Sequence, residues 1–332
     1  MNRRELLKAA AVVPLSQVAL HTLSGYANAQ AAWPSRNITM IVPFPAGGQA
    51  DLAARPVALA LERILGKPVI VDNRAGGGGG SVGNAAAARA EPDGYTLLMT
   101  LSSLAALPEA DRLFDRPVAY EMSQFAPVAR VLADPTMLAV PASAPWKTVK
   151  EFVEDAKARP GQIPYGSSGP YGTLHIAMEM FAASAGIKLL HVPFRGAGPA
   201  LTGLLTGTVQ AVASAPGTLR AQVDDGKMRV LAGWGAKRVA SFPDVPTFQE
   251  LGYKDVEFYI WAGLFAQTAL PAPIMTKLRE AMGEAVRAPE VVKTFETAGS
   301  PVAYLDAPEF TKFVEADSAR LIAAVKKIGR VE

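Results

Sequence analysis

Two short segments gather glycine, serine and threonine where a strand pattern gives way to a helix pattern. They are Pro45-Ala46-Gly47-Gly48 and Ser167-Ser168-Gly169-Pro170-Tyr171-Gly172-Thr173. Such loops present unpaired backbone N–H groups at a helix N-terminus, where the positive end of the helix dipole lies, and an anion fits there without a basic side chain. Neither loop contains Lys or Arg; Arg195, in a third loop, is placed to contribute. The same residue types also make tight turns and helix caps, so the pattern leaves a purely structural role open.

Other chemistries find less support. Gly78-x-Gly80-x-x-Gly83 matches a dinucleotide fingerprint between a strand and a helix. Five consecutive glycines match many patterns, however, and Asp93 stands in a Pro-Asp-Gly turn rather than at a strand end, where a ribose partner belongs. An oxidoreductase using Gly78–Gly83 is the alternative reading. Ser81 occupies the place where a phosphate loop needs Lys. Gly166-Ser167-Ser168-Gly169 is not a nucleophile elbow, because Pro170 fills its last position. His175 and His191 lie in no His-Glu-x-x-His arrangement, and His175 with Glu179 reads as a same-face pair on one helix. With no cysteine there is no thiol nucleophile, disulfide or cysteine metal site. The expectation is a non-catalytic protein with no cofactor and no metal.

The elements that would position these loops alternate. Ile38–Val42, Val69–Val71 and Tyr95–Thr100 read as strands, with helices from about Leu52 to Leu65 and over Asn84–Arg89. Pro56 marks either a late helix start or a kink. The middle repeats the plan: strands at Met137–Val140, Leu189–Val192, Val209–Ala213 and Val230–Gly233, and helices over Val149–Ala158, Thr173–Ala185 and Ala200–Leu205. Phe258–Phe265 reads as a strand, and Pro273–Val286 and Pro308–Ile328 as amphipathic helices returning to the first sheet. Strand–helix alternation implies an α/β fold with parallel sheets, and ligands of such sheets sit at the carboxyl ends of the strands. Two facing lobes would bring the two loops onto one ligand. Lobe 1 is expected over 30–136 and 237–332, and lobe 2 over 137–236, with a two-stranded hinge near Met137 and Trp234.

Residues 1–29 read as a secretory signal. Arg3 and Arg4 precede an apolar stretch from Leu6 to Leu20, and Ala27-Asn28-Ala29 offers a small-x-small cleavage site, so the mature chain would begin near Gln30. Asn2 to Lys8 also fits a twin-arginine signal, with the general export route left open. Export would place the protein in the periplasm. Of 33 basic and 30 acidic side chains, Arg3, Arg4, Lys8 and Glu5 lie in the signal, and the rest is near neutral. That balance gives no electrostatic reason to expect nucleic acid.

Residues spread along the whole mature chain resemble the Bug family, the substrate-binding proteins of tripartite tricarboxylate transporters. They are Trp33-Pro34, Ile41 to Asp51, Gly66-Lys67-Pro68-Val69, Asn73 to Gly76, Pro92 to Leu98, His175 with Glu179, His191 to Gly196, and Phe242 to Thr247. The resemblance implies a two-lobe periplasmic-binding-protein fold, type II-like, that holds a small carboxylate (organic acid, amino acid or aromatic acid) and delivers it to the membrane components of such a transporter. A monomer is expected. Carboxylate recognition maps onto backbone amides of Phe44 through Gly48 and of Ser168 through Thr173. The candidate ligand-binding residues are Phe44, Ala46, Gly47, Gly48, Asp51, Ser102, Ser168, Gly169, Tyr171, Gly172, Thr173, His175, Arg195 and Ser214. Two departures stand out: Val209–Pro216 carries no acidic residue, and Gln49-Ala50 replaces a small hydroxyl residue. The first implies a less acidic cleft, suited to an apolar or aromatic acid.

Overall fold

Strands and helices alternate along residues 33–331, the part of the chain that the computed structural model describes. The signal segment and its cleavage site lie outside these residues. The chain first forms β1 (Ile38–Val42), α1 (Gln49–Leu65), β2 (Val69–Asn73), α2 (Ser81–Ala88), β3 (Thr96–Leu101), α3 (Ser103–Leu113) and β4 (Phe125–Pro135). It then crosses to a second lobe: β5 (Met137–Pro141), α4 (Val149–Ala158), β6 (Pro164–Ser167), α5 (Thr173–Ala185), β7 (Leu190–Pro193), α6 (Ala197–Leu205), β8 (Ala211–Ser214), α7 (Pro216–Asp224) and β9 (Met228–Gly233). It returns as β10 (Tyr259–Gln267), α8 (Ala272–Ala285), α9 (Pro289–Thr297), β11 (Leu305–Asp306) and α10 (Ala307–Ile328).

The expected α/β class is present, and each sheet is mixed, with antiparallel strands beside a parallel run. The first runs β11-β4-β10-β3-β1-β2 and the second β7-β6-β8-β5-β9. β1, β2 and β3 are parallel, as are β6, β7 and β8, whereas β10 is antiparallel to both β3 and β4, and β5 to both β8 and β9. Continuity of the chain explains this. A strand that leaves one lobe by its carboxyl end enters the other by its amino end. β5 and β10 therefore run away from the junction toward which the parallel strands point.

The crossings lie side by side. The Thr136 N–H donates to the Phe258 carbonyl at 3.2 Å, Trp234 N–H to Thr136 at 2.8 Å, and Phe258 N–H to Trp234 at 3.0 Å. Trp234 is buried, donates its indole N–H to Ala177 of α5 at 3.0 Å and packs edge-on to Phe248 at 4.6 Å. One crossing is thus anchored in lobe 2.

α1 begins at Gln49 and continues through Pro56, which puts its start earlier than the apolar pattern alone implies. β4, α3, α7 and α9 carry weak local signals. β4 is broken by Pro127, Arg130 and Asp134, and α3 contains Pro108. Their positions come from packing: β4 pairs along most of β10, and α10 covers α3 and β4.

Candidate functional site

The carboxyl ends of β1, β3 and β4 face those of β6, β7 and β8 across the junction, and the helices that follow start there. None of α1, α3, α5, α6 or α7 has a side-chain cap. Thr148 and Asp306, which do cap helices, serve α4 and α10 on the far side. Gly48 and Gly172 occupy the cap positions of α1 and α5, so the first backbone donors of both helices are left for something other than the protein's own side chains.

The first loop is held from behind. Asp51 accepts the Gly47 N–H at 2.9 Å, Arg55 Nε at 2.9 Å and Asn73 Nδ2 at 3.0 Å; Asn73 Nδ2 also donates to the Phe44 carbonyl at 3.1 Å. Burial pushes the Asp51 carboxyl up, and these donors more than reverse that, leaving it below the usual aspartate range. Asp51 therefore fixes the loop, and the Gly47 amide is already spent on it. Phe44 is buried, while Ala46 and Gly47 are exposed at the lip. The Leu52 N–H closes the first helical turn on the Gly48 carbonyl at 2.9 Å. Gly48, Gln49 and Ala50 thus supply the helix-start amides.

The second loop is buried. Ser167, Ser168, Tyr171, Thr173 and His175 are all under 5 % exposed. The Ser167 hydroxyl accepts the Gly169 N–H at 3.0 Å and lies 2.6 Å from His191 Nε2. His175 Nδ1 accepts the Tyr171 N–H at 2.9 Å, and the two histidine rings stack at 4.2 Å. Burial, aided by the His191 ring, holds His175 down at about 3, and burial holds His191 at about 4, so both are neutral. Behind them Tyr165 donates to Glu179 at 2.5 Å, and burial raises the Glu179 carboxyl. His175 supports the loop through Tyr171. The oxygens of Ser168 Oγ and Thr173 Oγ1 are buried without a partner, as is Ser102 Oγ at the carboxyl end of β3. Unpaired buried hydroxyls are costly, and three at one junction mark a place where a polar guest is expected. Ser214 differs: its hydroxyl lies 2.6 Å from Thr218 Oγ1.

The lobes touch across the junction. The Gly79 N–H donates to the Ser168 carbonyl at 3.1 Å, and Ser103 Oγ to the Gly79 carbonyl at 2.8 Å. A Cβ on Gly169 would lie 2.7 Å from Gly78 Cα, and one on Gly78 would lie 2.9 Å from the Pro170 carbonyl oxygen. One on Gly83 would lie 2.6 Å from Pro43 Cα. Protein thus covers the glycine run that resembled a dinucleotide fingerprint, and its glycines serve close backbone packing. At the other lip a Cβ on Gly196 would lie 2.8 Å from Pro45 Cδ, which places exposed Arg195 beside the first loop. Lobe 2's loop is also tied to the C-terminus: the Tyr171 hydroxyl donates to the Gly329 carbonyl at 2.6 Å and accepts the Val331 N–H at 3.1 Å.

Sequence reasoning missed a group on the junction's floor. Asp134, at the carboxyl end of β4, is 3 % exposed and accepts a hydrogen bond from the Gln49 side-chain amide; Ser300 lies beside it. A buried acid therefore stands at this junction, and burial pushes its carboxyl up to about 7. It comes from β4 instead of β8, and an Asp before Pro in an irregular strand gives no local signal.

Comparison with known proteins agrees with this geometry. The sequence model described as "Tripartite tricarboxylate transporter family receptor" matches residues 53–330. Protein BugT of Bordetella pertussis is 32 % identical over 300 residues, covering 90 % of each chain. The structure of the periplasmic binding protein BugD superposes with a TM-score of 0.83 at 29 % identity, covering 90 % of this chain and 99 % of that one. R. palustris Rpa4515, solved with adipate, gives 0.83 at 28 % over 90 % and 98 %. MatC from Rhodopseudomonas palustris, solved with malate, gives 0.81 at 26 % over 88 % and 99 %. With a two-lobe fold, facing uncapped helix starts and a family match across most of its length, the chain belongs to the tripartite tricarboxylate transporter receptor family of solute-binding proteins.

Proposed function

We propose that this protein captures a small carboxylate between its lobes in the periplasm and hands it to the membrane components of a tripartite tricarboxylate-type transporter, without chemical change. The observation that carries the reading is the pairing of two uncapped helix starts, at Gly48 and Gly172, across one junction with unpartnered hydroxyls at Ser102, Ser168 and Thr173. The amides of Gly48, Gln49 and Ala50 take the carboxylate from one side, and the amides and hydroxyls of Ser168 to Thr173 from the other. Fixed backbone donors lose little side-chain entropy on binding. Adipate and malate, bound by relatives, are both small carboxylates. Lobe 1 comprises 30–136 and 237–332, lobe 2 comprises 137–236, and closure turns on Thr136 and Trp234. The chain acts as a monomer, and its signal is removed near Gln30.

Calorimetry of the mature protein against a panel of mono- and dicarboxylates tests this, with small-angle scattering to follow closure. The expected result is saturable binding of one acid class together with a smaller radius of gyration. A micromolar ligand corresponds to roughly 8 kcal/mol at the one-molar standard state, and a hundredfold excess raises stability by about 2.7 kcal/mol. N-terminal sequencing of periplasmic protein should begin at or next to Gln30. Intact Met1 would contradict export with cleavage, and undiminished export after Arg3 and Arg4 are replaced by lysine would leave only the general route.

A further inference from the structure

Asp134 is a buried acid with no basic partner. No Lys or Arg forms an ion pair with it among the described residues; what it has is the Gln49 side-chain amide and a neighbouring Ser300 hydroxyl. Burial pushes this carboxyl up to about 7, and a cation beside it would hold the ionised form. Two further buried atoms nearby have no partner: Gln49 Oε1, on the side chain that reaches Asp134, and Thr136 Oγ1, two residues along the same backbone. Gln49 and Thr136 are 3 % and 0 % exposed. The carboxylate and Gln49 Oε1 only accept hydrogen bonds, and the Thr136 hydroxyl can accept as well. The place therefore lacks donors, and it lacks positive charge.

Its position is equally specific. Gln49 is the first residue of α1 and follows Gly48 directly, so its backbone belongs to the proposed carboxylate loop while its side chain reaches the acid. Thr136 is the first crossing between lobes. Ser300 faces the other lobe, where a Cβ on Gly217 would lie 2.6 Å from its hydroxyl oxygen. The acceptors thus lie behind the α1 helix start, where the chain crosses between lobes.

We infer that Asp134, Gln49 and Thr136 form a subsite for a protonated amine, and that the ligand is a 2-amino acid whose carboxylate lies on the α1 helix start. An ammonium carries one positive charge and three N–H donors, which match one carboxylate, one amide oxygen and one hydroxyl. Gln49 supplies both a helix-start amide and the side chain that reaches Asp134, so the two subsites adjoin, as an ammonium and a carboxylate on one carbon do. This deepens the carboxylate reading above and rests on it.

The test is calorimetry of the mature protein with matched pairs differing only by the amine: aspartate and succinate, glutamate and glutarate, leucine and 4-methylpentanoate, phenylalanine and 3-phenylpropionate. The amino member of at least one pair should bind tenfold or more tightly than its partner. Asp134→Asn, which keeps the shape and the Gln49 contact, should weaken that amino acid about a hundredfold and leave the desamino acid within a fewfold. Thr136→Val should weaken the amino acid alone, by a smaller factor. Melting temperatures without ligand confirm that each variant is folded. Desamino acids binding as tightly as their amino partners, or Asp134→Asn weakening both members equally, would overturn the subsite while leaving the carboxylate reading intact. Binding of neither member in any pair would overturn both.

Discussion

The two loops proposed to share one anion are built in opposite ways. The loop of lobe 1, Phe44 to Gly48, is buried at both ends and exposes Ala46 and Gly47 at a lip. A Cβ on Gly47 would meet nothing within 4 Å, and one on Gly48 only the Pro45 carbonyl at 3.7 Å. Its shape is set from behind by an ionised Asp51 with Asn73 and Arg55. The loop of lobe 2, Ser167 to Thr173, is buried, backed by two neutral stacked histidines, and so crowded that a Cβ on Gly172 would lie 2.6 Å from Ser168 Oγ. Both present helix-start amides, yet only the second adds unpartnered hydroxyls. Backbone alone is chemically generic, whereas a rigid cluster of hydroxyls has a fixed geometry. The α1 helix start by itself is thus suited to hold any carboxylate group, and the second loop to register closure upon it.

The largest effect should come from filling the space that the first loop leaves for a ligand. Gly48 has φ −88°, an ordinary conformation for any residue. Gly48 is buried, but a Cβ there meets only the Pro45 carbonyl at 3.7 Å, so Gly48→Val should abolish binding measured by calorimetry while costing about 1 kcal/mol in stability. Retained binding would show that the ligand does not approach the α1 helix start.

In lobe 2 the same kind of change acts through closure. Gly169 has φ +103° and faces Gly78 across the lobes, so Gly169→Ala is both strained and obstructive. Affinity should fall about a hundredfold, close to 2.7 kcal/mol. Unlike Gly48→Val, this variant should also lower the melting temperature and enlarge the scattering radius at saturating ligand. Equal behaviour of the two variants would erase the distinction between the loops.

Removing one unpartnered hydroxyl should separate binding from stability. Ser168→Ala and Thr173→Ala each delete a buried oxygen with no partner in the unliganded protein. Each should weaken binding about fivefold, the cost of one hydrogen bond of roughly 1 kcal/mol. Unliganded stability should stay unchanged or rise slightly, because a desolvated group is gone. A lowered melting temperature without ligand would mean that these hydroxyls serve the fold.

Much of this contrast was legible in the chain and some was not. The strand–helix boundaries around both loops follow from apolar periodicity and glycine punctuation, which are local signals; α4 and α5 begin and end where those signals place them. Chain direction in β5 and β10 follows from which lobe the chain has just left, and no local pattern records that. The glycine run illustrates the same limit. Its spacing suggested a phosphate cradle, but its neighbours, Pro170 and Gly172, lie about ninety residues away. Asp134 was missed because its partner Gln49 is 85 residues distant and its strand is irregular.

Acidification should loosen the second loop and leave the Gly47 turn of the first intact, even though Asp134 behind Gln49, raised by burial to about 7, takes up a proton in the same range. His175 and His191 have folded-state values near 3 and 4, below the ordinary 6.5 of an unfolded histidine. The unfolded chain therefore binds more protons between pH 6.5 and 4, so their contribution is present above 6.5 and is lost as pH falls through that window. Glu179, raised by burial, acts in the opposite sense just above the ordinary glutamate range and softens the loss. Asp51 stays ionised down to below its usual range. Hydrogen exchange at pH 5 compared with pH 7, corrected for intrinsic rates, should show several-fold lower protection at Gly169 and Tyr171, whose N–H groups bond to Ser167 and His175. Protection at Gly47 should be unchanged. Equal loss in both loops would point to global opening.

The smallest effect is expected from Arg195, a basic side chain beside the first loop. Arg195 is exposed, immediately precedes Gly196 and stands next to Pro45 of the first loop, so it is placed to attract a carboxylate toward the lip. A charge in full contact with water is screened, and exposed ion pairs are worth about 0.2–1 kcal/mol. Arg195→Ala should therefore weaken binding only about threefold. The loss should appear mainly in the association rate and should fade at high salt, as expected for steering. Gly48→Val should show neither dependence, because it blocks a contact that forms after encounter. If Arg195→Ala eliminated binding and Gly48→Val left it intact, the anion would be held by a side-chain ion pair. Recognition would then belong to lobe 2 alone, with the α1 helix start merely covering the ligand.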